Sequence, residues 1–164
     1  WRMTDVVSRE TRSRMMAGIK GKDTKLELLL RQSLHRAGYR FRVHRKGLPG
    51  RPDIVLPKYQ AIVQANGCFW HGHDCSLFKI PGSNTERWVK KIEGNRQRDD
   101  RNRRALEEAG WRVLDVWECA VKGPDRWDTN EVTDVVNAWV SSDEGSAEIR
   151  GGTGPSPVLG KADK

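Results

Sequence analysis

The sequence predicts an α/β fold, in which helices pack against both faces of a β-sheet. Its apolar residues recur in patterns that predict a helix, three strands, a helix, a strand and a last helix, in that order. The alternation of helix and strand in the second half is typical of this class. A length of 164 residues fits one domain with short tails.

The first predicted helix begins at a capping box, since Thr24 and Glu27 have the spacing of a capping residue and its partner. Gly38 stands where a glycine commonly ends a helix. An alternation of apolar and polar residues then predicts a half-buried strand. The apolar members of that strand are Tyr39, Phe41 and Val43.

Short apolar runs predict the next two strands, at residues 54–56 and 61–63. A long helix is expected to begin at Asn84 or Thr85 and to end at Gly110. The pattern then predicts a strand at residues 111–117 and a helix at residues 130–140, whose apolar face includes Trp139.

Three regions follow from this pattern. Residues 1–23 are polar and basic and are expected to form an arm that lies along DNA, or else a loosely packed surface helix. Residues 24–140 form the predicted domain. Residues 141–164 are rich in Gly, Ser, Pro and charge and are expected to be a flexible tail.

The charge balance favours an anionic partner. Lys and Arg number 30 against 22 acidic residues, a net charge of +8, and nucleic acid is the usual partner of such a surface. A merely solvated basic surface is the alternative. No apolar run approaches the length of a membrane span and no signal peptide is visible, so we expect a cytoplasmic protein without a membrane partner.

The cysteines indicate a metal site. Cys68, His73 and Cys75 form a compact Cys-x4-His-x-Cys cluster, and Cys119 follows a predicted strand far downstream. Together they would complete a tetrahedral zinc site of the structural type. Such a site uses all three cysteines of a chain that is expected to stay reduced. Alternatives are His71 or Asp74 as the fourth ligand, or free buried thiols.

Asp53 is the candidate magnesium ligand. It follows Pro52 at the start of a predicted strand, where a second oxygen from the neighbouring strand can join it. A magnesium ion there can polarise a phosphate and lower the pKa of water. The alternative is an ordinary turn aspartate.

His71 is the candidate general base. If its neighbour His73 binds zinc, His71 is left over on the same loop, and a neutral imidazole can take a proton from water. Asp99 or Glu27 could orient it. The alternative is a histidine that only supports the metal loop or stacks on a neighbour.

Phe69 and Trp70 are candidate DNA wedges, because two adjacent large aromatics on a loop cannot both face the core of one strand. Trp88 is a further stacking candidate. The alternative is that one aromatic covers the zinc and the other fills the core.

Three motifs closely resemble the very-short-patch repair endonucleases. They are Gly-Arg-Pro-Asp at residues 50–53, Gly-Cys-Phe-Trp-His at residues 67–71 and Val-Trp-Glu-Cys at residues 116–119. The resemblance extends over roughly residues 8–140. It implies a restriction-endonuclease-like core with a central mixed sheet, a structural zinc and magnesium-dependent nicking of double-stranded DNA. The implied target is a thymine mispaired with guanine, nicked on its 5′ side, by an enzyme we expect to be monomeric and nucleoid-associated.

The resemblance also implies residue roles. Asp53 looks like the magnesium-bridging carboxylate and His71 like the base, while Glu27 and Asp99 match acids that bind metal-bound water or orient the histidine. The implied zinc ligands are Cys68, His73, Cys75 and Cys119. The implied DNA contacts are Met16 of the arm, Phe69, Trp70 and Trp88.

Two positions depart from the family pattern. Ala65 stands where a threonine gives magnesium its backbone carbonyl, and a carbonyl survives the substitution. Asn66 stands at a catalytic position where the family has histidine or often an acid, and an amide cannot carry charge or move a proton. The acid-x-Lys pair of related nucleases is absent from residues 64–66, so His71 would do the work of the lysine.

These observations leave two rival hypotheses beside the mismatch endonuclease. One is a restriction-type or modification-dependent endonuclease that needs no mismatch. The other is a non-enzymatic, zinc-stabilised DNA-binding protein, for which Asn66 is the main argument.

Overall fold

The computed structural model describes residues 24–152 and the backbone of residues 158–159. It contains three α-helices and six strands in the described part of the chain. The helices are α1 (Lys25–Arg36), α2 (Thr85–Glu108) and α3 (Thr129–Ser141). The strands are β1 (Arg42–Val43), β2 (Ile54–Leu56), β3 (Ala61–Asn66), β4 (Arg112–Trp117), β5 (Ala147–Ile149) and β6 (Val158–Leu159).

The six strands form one mixed sheet in sequential order. β3 pairs in parallel with β4, and β4 with β5, whereas the outer pairs are antiparallel. The parallel pairs are joined by the long crossovers through α2 and α3, as parallel strands require. The α/β class and the mixed central sheet are confirmed.

Helices cover both faces of the sheet. The larger core lies between the sheet and α1 and α3, where Leu30, Leu34, Val136 and Trp139 pack against alternate residues of the strands. The opposite face holds a smaller core beneath α2, which contributes Leu106. The two-residue alternation of β-strands directs neighbouring side chains into these two cores.

The helix boundaries lie close to the predicted ones. The side chain of Thr24 caps α1, because its Oγ1 accepts a hydrogen bond from the Glu27 amide at 3.2 Å. α2 begins at Thr85 and ends two residues before Gly110, whose positive φ of 93° suits glycine. α3 is one residue longer at each end than expected.

The first predicted strand is shorter than expected. Only residues 42–43 pair with β2, and Val43 is exposed. Tyr39 and Phe41 pack against the larger core, but from the connection that precedes the strand. The pairing stops because His44 adopts a φ of 45°, which turns the chain out of the sheet.

The prediction of a flexible tail from residue 141 onward is wrong for residues 147–149. These residues form β5, which pairs in parallel with β4, and Ala147 and Ile149 are fully buried. The polar Glu148 between them points to the other face, so the segment has the period-two pattern of a strand. The surrounding Gly and Ser residues hid this pattern in the sequence.

The predicted N-terminal arm, with Met16, lies outside the described residues. In the part of the chain that is described, no helix combines the length and the apolar character needed to cross a membrane.

Ile149→Ala should destabilise the protein by about 2–5 kcal/mol, because it removes buried methylene groups from the larger core. Urea unfolding measures this change in the free energy of unfolding, with zinc added to saturate the predicted site at Cys68, His73, Cys75 and Cys119. Val43→Ala, at the exposed edge strand, is the control and should cost less than about 1 kcal/mol. Equal small effects would show that residues 147–149 do not stabilise the core.

Candidate active site and metal centre

Four predicted ligands converge on one point. Each of Cys68, His73, Cys75 and Cys119 offers a ligand atom, and these four atoms all lie within 4.8 Å of one another. The sulfur of Cys119 lies 3.6 Å from Nδ1 of His73. Ligands about 2.0–2.3 Å from a tetrahedral zinc ion have separations of this order. Three thiols and one imidazole are also the donor set of a structural zinc site.

Sheet topology brings the distant cysteine to the other three ligands. The last residue pair of parallel β3 and β4 is Asn66 with Trp117. Cys68 and Cys119 each follow their strand by two residues, so they emerge side by side at the carboxyl ends of neighbouring strands. The amide of Cys119 donates to the sulfur of Cys68 at 3.3 Å.

The environment of the thiols favours the thiolate form at Cys119, which binds cations. A hydrogen bond from Cys68 lowers the pKa of Cys119 to about 4, and His73 and the Gly151 amide act in the same direction. The same shared proton, together with burial, raises the pKa of Cys68. A thiolate is the form that binds metal, so the cluster fits the ion that its composition predicts.

The alternative fourth ligands lie outside the group of four, although Oδ1 of Asp74 approaches Nε2 of His73 to 3.7 Å. Asp74 has 82% of its side chain exposed and pairs with Arg150 at 2.9 Å, which lowers the Asp74 pKa against the opposing effect of partial desolvation. Nδ1 of His71 contacts Asp99. Cys119 is therefore the fourth member of the cluster.

Trp117 packs against the imidazole of His73. The sequence predicted no such role for Trp117. The two rings stack at 3.9 Å between centroids with an interplanar angle of 9°. The indole nitrogen of Trp117 donates to Glu148 at 3.2 Å, which ties the stack to β5. The sequence did contain a sign of this contact, since Trp117 lies two residues before Cys119 at the same strand end.

The loop after β3 presents His71 to α2. Asp99 of α2 contacts Nδ1 of His71, as one of the two predicted orienting acids was expected to do. Asn95 supports the loop from the same helix by donating to the carbonyl of Trp70 at 3.0 Å. A side chain at Gly72 would lie 2.7 Å from Ile92, so the loop backbone packs directly on α2.

Asp53 lies at the amino end of β2, against β3. Its Oδ2 accepts a hydrogen bond from the Ala65 amide at 2.8 Å, and its own amide donates to Gln64 at 3.2 Å. The backbone amide of Ala65 therefore contacts the carboxylate of Asp53.

The electrostatic environment of Asp53 favours a cation. Burial raises the pKa of Asp53 to about 6, although the Ala65 amide opposes the shift, and the nearby carboxylate of Glu27 raises it further. His44 and His71 lower the Asp53 pKa, so both imidazoles act on this carboxylate. Two close carboxylates in a partly buried site are stabilised by a bound divalent cation.

Glu27 belongs to the Asp53 site. Its Oε2 lies 2.8 Å from Nη2 of Arg31 and 3.0 Å from Nε2 of His44. Glu27, His44 and Asp53 offer three ligand atoms within 4.8 Å of one another. Sequence reasoning missed His44, whose only signal was a histidine at the end of the short strand that precedes the Gly-Arg-Pro-Asp motif.

Asn66 contacts a buried charge network. Its amide nitrogen donates to Asp115 at 3.0 Å, and Asp115 also pairs with Arg103. Burial raises the pKa of Asp115, and Arg103 opposes the shift. Asn66 thus bridges β3 and β4 in this structure. Sequence reasoning missed Asp115 because the strand pattern gave no sign that a polar position faced inward.

The three aromatics form a half-buried cluster. Trp88 lies 5.4 Å from Phe69 and 6.0 Å from Trp70 between ring centroids, and Lys91 lies over Trp70 at 5.1 Å. None of the three belongs to either core cluster of the described chain. The alternative in which one of them fills the core is therefore wrong.

Gly151→Ala should weaken metal retention at the cysteine site by about tenfold or more, the range seen for groups that support metal ligands. An added Cβ would lie 2.3 Å from the Cys119 carbonyl oxygen and would displace the amide that donates to the Cys119 sulfur. Competition between the protein and a chelator for zinc measures this retention. Gly145→Ala is the control, because its Cβ meets nothing within 4 Å. Equal metal retention by both variants would show that the Gly151 amide, in the segment after β5, does not support the metal ligands.

Asp53→Asn should stabilise the protein at about pH 8 in the absence of magnesium. With a pKa of about 6 when folded and 3.8 as the ordinary value, Asp53 contributes stability below the lower value and loses it as pH rises through about 6. The difference corresponds to at most about 3 kcal/mol and should shrink toward about pH 5. Urea unfolding across this range measures it, with exposed Asp134→Asn as control. A pH-independent difference would contradict the raised pKa.

Comparison with known proteins identifies the family. A family model described as DNA mismatch endonuclease Vsr matches residues 4–77. The chain is 43% identical over 147 residues to DNA mismatch endonuclease Vsr of Escherichia coli (strain K12), covering 90% of this chain and 94% of that protein. It is 49% identical over 117 residues to type II nicking enzyme V.XorIIP of Xanthomonas oryzae pv. oryzae (strain KACC10331 / KXO85), covering 71% and 86%. The chain therefore belongs to the Vsr family of DNA mismatch endonucleases, with their restriction-endonuclease-like fold.

Proposed function

We propose that this DNA endonuclease nicks one strand of a duplex on the 5′ side of a thymine mispaired with guanine, and so starts very-short-patch repair. The observation that carries the proposal is the arrangement of Asp53 and His71. Asp53 accepts a hydrogen bond from the Ala65 amide of β3, the strand that leads into the loop of His71, and Asp99 contacts Nδ1 of that imidazole. A carboxylate that can hold a metal ion and an oriented imidazole at the same end of one strand suit phosphodiester hydrolysis.

His71 is the proposed general base. Because Asp99 faces Nδ1, the proton of a neutral imidazole resides on that nitrogen and the lone pair of Nε2 is free. Nε2 then takes the proton of the attacking water, and Asp99 stabilises the imidazolium that forms. This assignment gives His71 the role that a lysine has in related nucleases.

Asp53, Glu27 and the backbone carbonyl of Ala65 are the proposed holders of magnesium. A magnesium ion bound there supplies polarisation of the phosphate and a lower pKa for bound water. The role of Asp53 is to bind and fix the ion, and the Ala65 amide orients its carboxylate. The cluster of Cys68, His73, Cys75 and Cys119 is the proposed zinc site, and its part is structural.

The aromatic cluster is the proposed mismatch contact. Phe69 and Trp70, on the loop that also carries His71, form one half-buried patch with Trp88 of α2, beside the basic Lys91. Insertion of such side chains unstacks base pairs, and this costs least where a pair is already mismatched. Met16 of the arm is proposed to intercalate as well. The net charge of +8 favours the DNA backbone.

Nicking without a mismatch is the second candidate, because several relatives are named as type II nicking enzymes. The non-enzymatic alternative is set aside, since the chain belongs to a family of endonucleases.

A nicking assay on paired and mismatched duplexes in varied flanking sequence tests the proposal. The protein should nick T:G duplexes with magnesium, and His71→Ala should lower the rate by about 10²–10⁴-fold, as expected for loss of a general base. Asp53→Asn should abolish nicking but retain DNA binding.

The matched controls are His35→Ala and Asp134→Asn, both exposed and remote from the site, and they should nick like the wild type. Equal nicking of paired and mismatched duplexes would favour the second candidate. Nicking at the normal rate by His71→Ala would contradict the assigned base.

A further inference from the structure

His44 faces the two carboxylates of the proposed magnesium site. Its Nε2 lies 3.0 Å from Oε2 of Glu27 and 3.9 Å from Oδ1 of Asp53. Two ligands at about 2.1 Å from an octahedral ion are about 3.0 Å apart when adjacent and about 4.2 Å apart when opposite. The three donors therefore have the spacing of ligands around one small cation.

The backbone holds His44 in this place. Its φ of 45° is uncommon for a non-glycine residue, and such conformations cluster at functional sites at a cost of about 1–3 kcal/mol. Its amide donates to the carbonyl of Asp53 at 3.2 Å, so the two candidate ligands are joined directly through their backbones. The imidazole is one quarter exposed, which leaves it accessible to an ion from solvent.

The Glu27 carboxylate is the nearest polar contact of Nε2, and because a carboxylate accepts, Nε2 is placed to donate to it. Nη2 of Arg31 approaches it to 3.4 Å as a donor, while Oε2 of Glu27 approaches it as an acceptor. A cation bound between Nε2 and Oε2 would replace the proton that these two atoms share, and both atoms would then be its ligands. Arg31 also fixes the Glu27 carboxylate, as groups that support metal ligands do.

We propose that His44 binds the catalytic divalent cation directly through Nε2, together with Asp53 and Glu27, and that the site therefore selects Mn²⁺ over Mg²⁺. The proposal rests on the proposed function, because it concerns the same cation site. Magnesium is a hard cation that takes oxygen ligands, whereas manganese is a transition-metal ion and tolerates a nitrogen ligand better, so an imidazole in the site weakens Mg²⁺ binding more than Mn²⁺ binding.

Pulsed electron paramagnetic resonance on the zinc-loaded full chain with Mn²⁺ and without DNA tests the proposal. The wild type should show modulation from a directly bound ¹⁴N nucleus, and H44Q should lose it. Mn²⁺ affinity, measured by titration calorimetry, should fall about tenfold or more in H44Q, since even groups that only support ligands are worth about 10–100-fold. Mg²⁺ affinity should fall less.

H35Q is the matched control, and it should keep both the ¹⁴N signal and the affinity. H71Q tests the other nearby imidazole and should also keep the ¹⁴N signal. Retained zinc content in H44Q shows that the variant is folded, and ¹⁵N-histidine labelling of the wild type gives a second reading that needs no variant.

Bound Mn²⁺ without a ¹⁴N signal in the wild type would overturn the proposal but not the proposed function. A ¹⁴N signal that is lost in H71Q and kept in H44Q would also overturn the proposal but not the proposed function. Failure of the wild type to bind either Mn²⁺ or Mg²⁺ would overturn the cation site of the proposed function, and the role of His44 with it.

Discussion

The meeting of Cys68 and Cys119 is the contact on which the rest of the site depends. The two sulfur-bearing residues follow parallel strands that end in register, and the amide of one donates to the sulfur of the other. A metal bound here links residues that lie far apart in the chain. It would tie to β4 a loop whose own backbone hydrogen bonds join near neighbours in the chain.

A loop stabilised by the metal would also position His71, the proposed general base. His71 lies between the first and second loop ligands, so it has little freedom to move once these are fixed. α2 adds Asp99 behind the imidazole and Asn95 beneath the loop backbone. Asp53 reaches the same region from β2, because β2 pairs with β3, the strand that leads into the loop. The pairing of β2 with β3 therefore brings Asp53 to the strand end from which the loop of His71 departs.

The C-terminal segment completes the metal site from a third direction. The Gly151 amide donates to the Cys119 sulfur, and Arg150 pairs with Asp74 inside the loop. The stability of β5 and the geometry of the metal ligands are consequently coupled. This coupling explains why the sheet continues beyond the region that the sequence pattern delimits.

The sequence predicts the helices well, because their caps and apolar spacing are local signals. It also predicts which cysteines and histidine cluster, since Cys119 ends a recognisable strand. It missed His44 and Trp117, whose roles depend on pairing between strands rather than on spacing along the chain. β5 was missed because three residues are too few to show a period, and the turn chemistry around them dominates the composition.

X-ray absorption at the zinc edge of the purified protein tests the central claim most directly. We expect one zinc per chain with three sulfur ligands at about 2.3 Å and one nitrogen at about 2.0 Å. Two sulfur ligands, or zinc bound by nitrogen and oxygen alone, would mean that Cys119 does not join the loop and would contradict it.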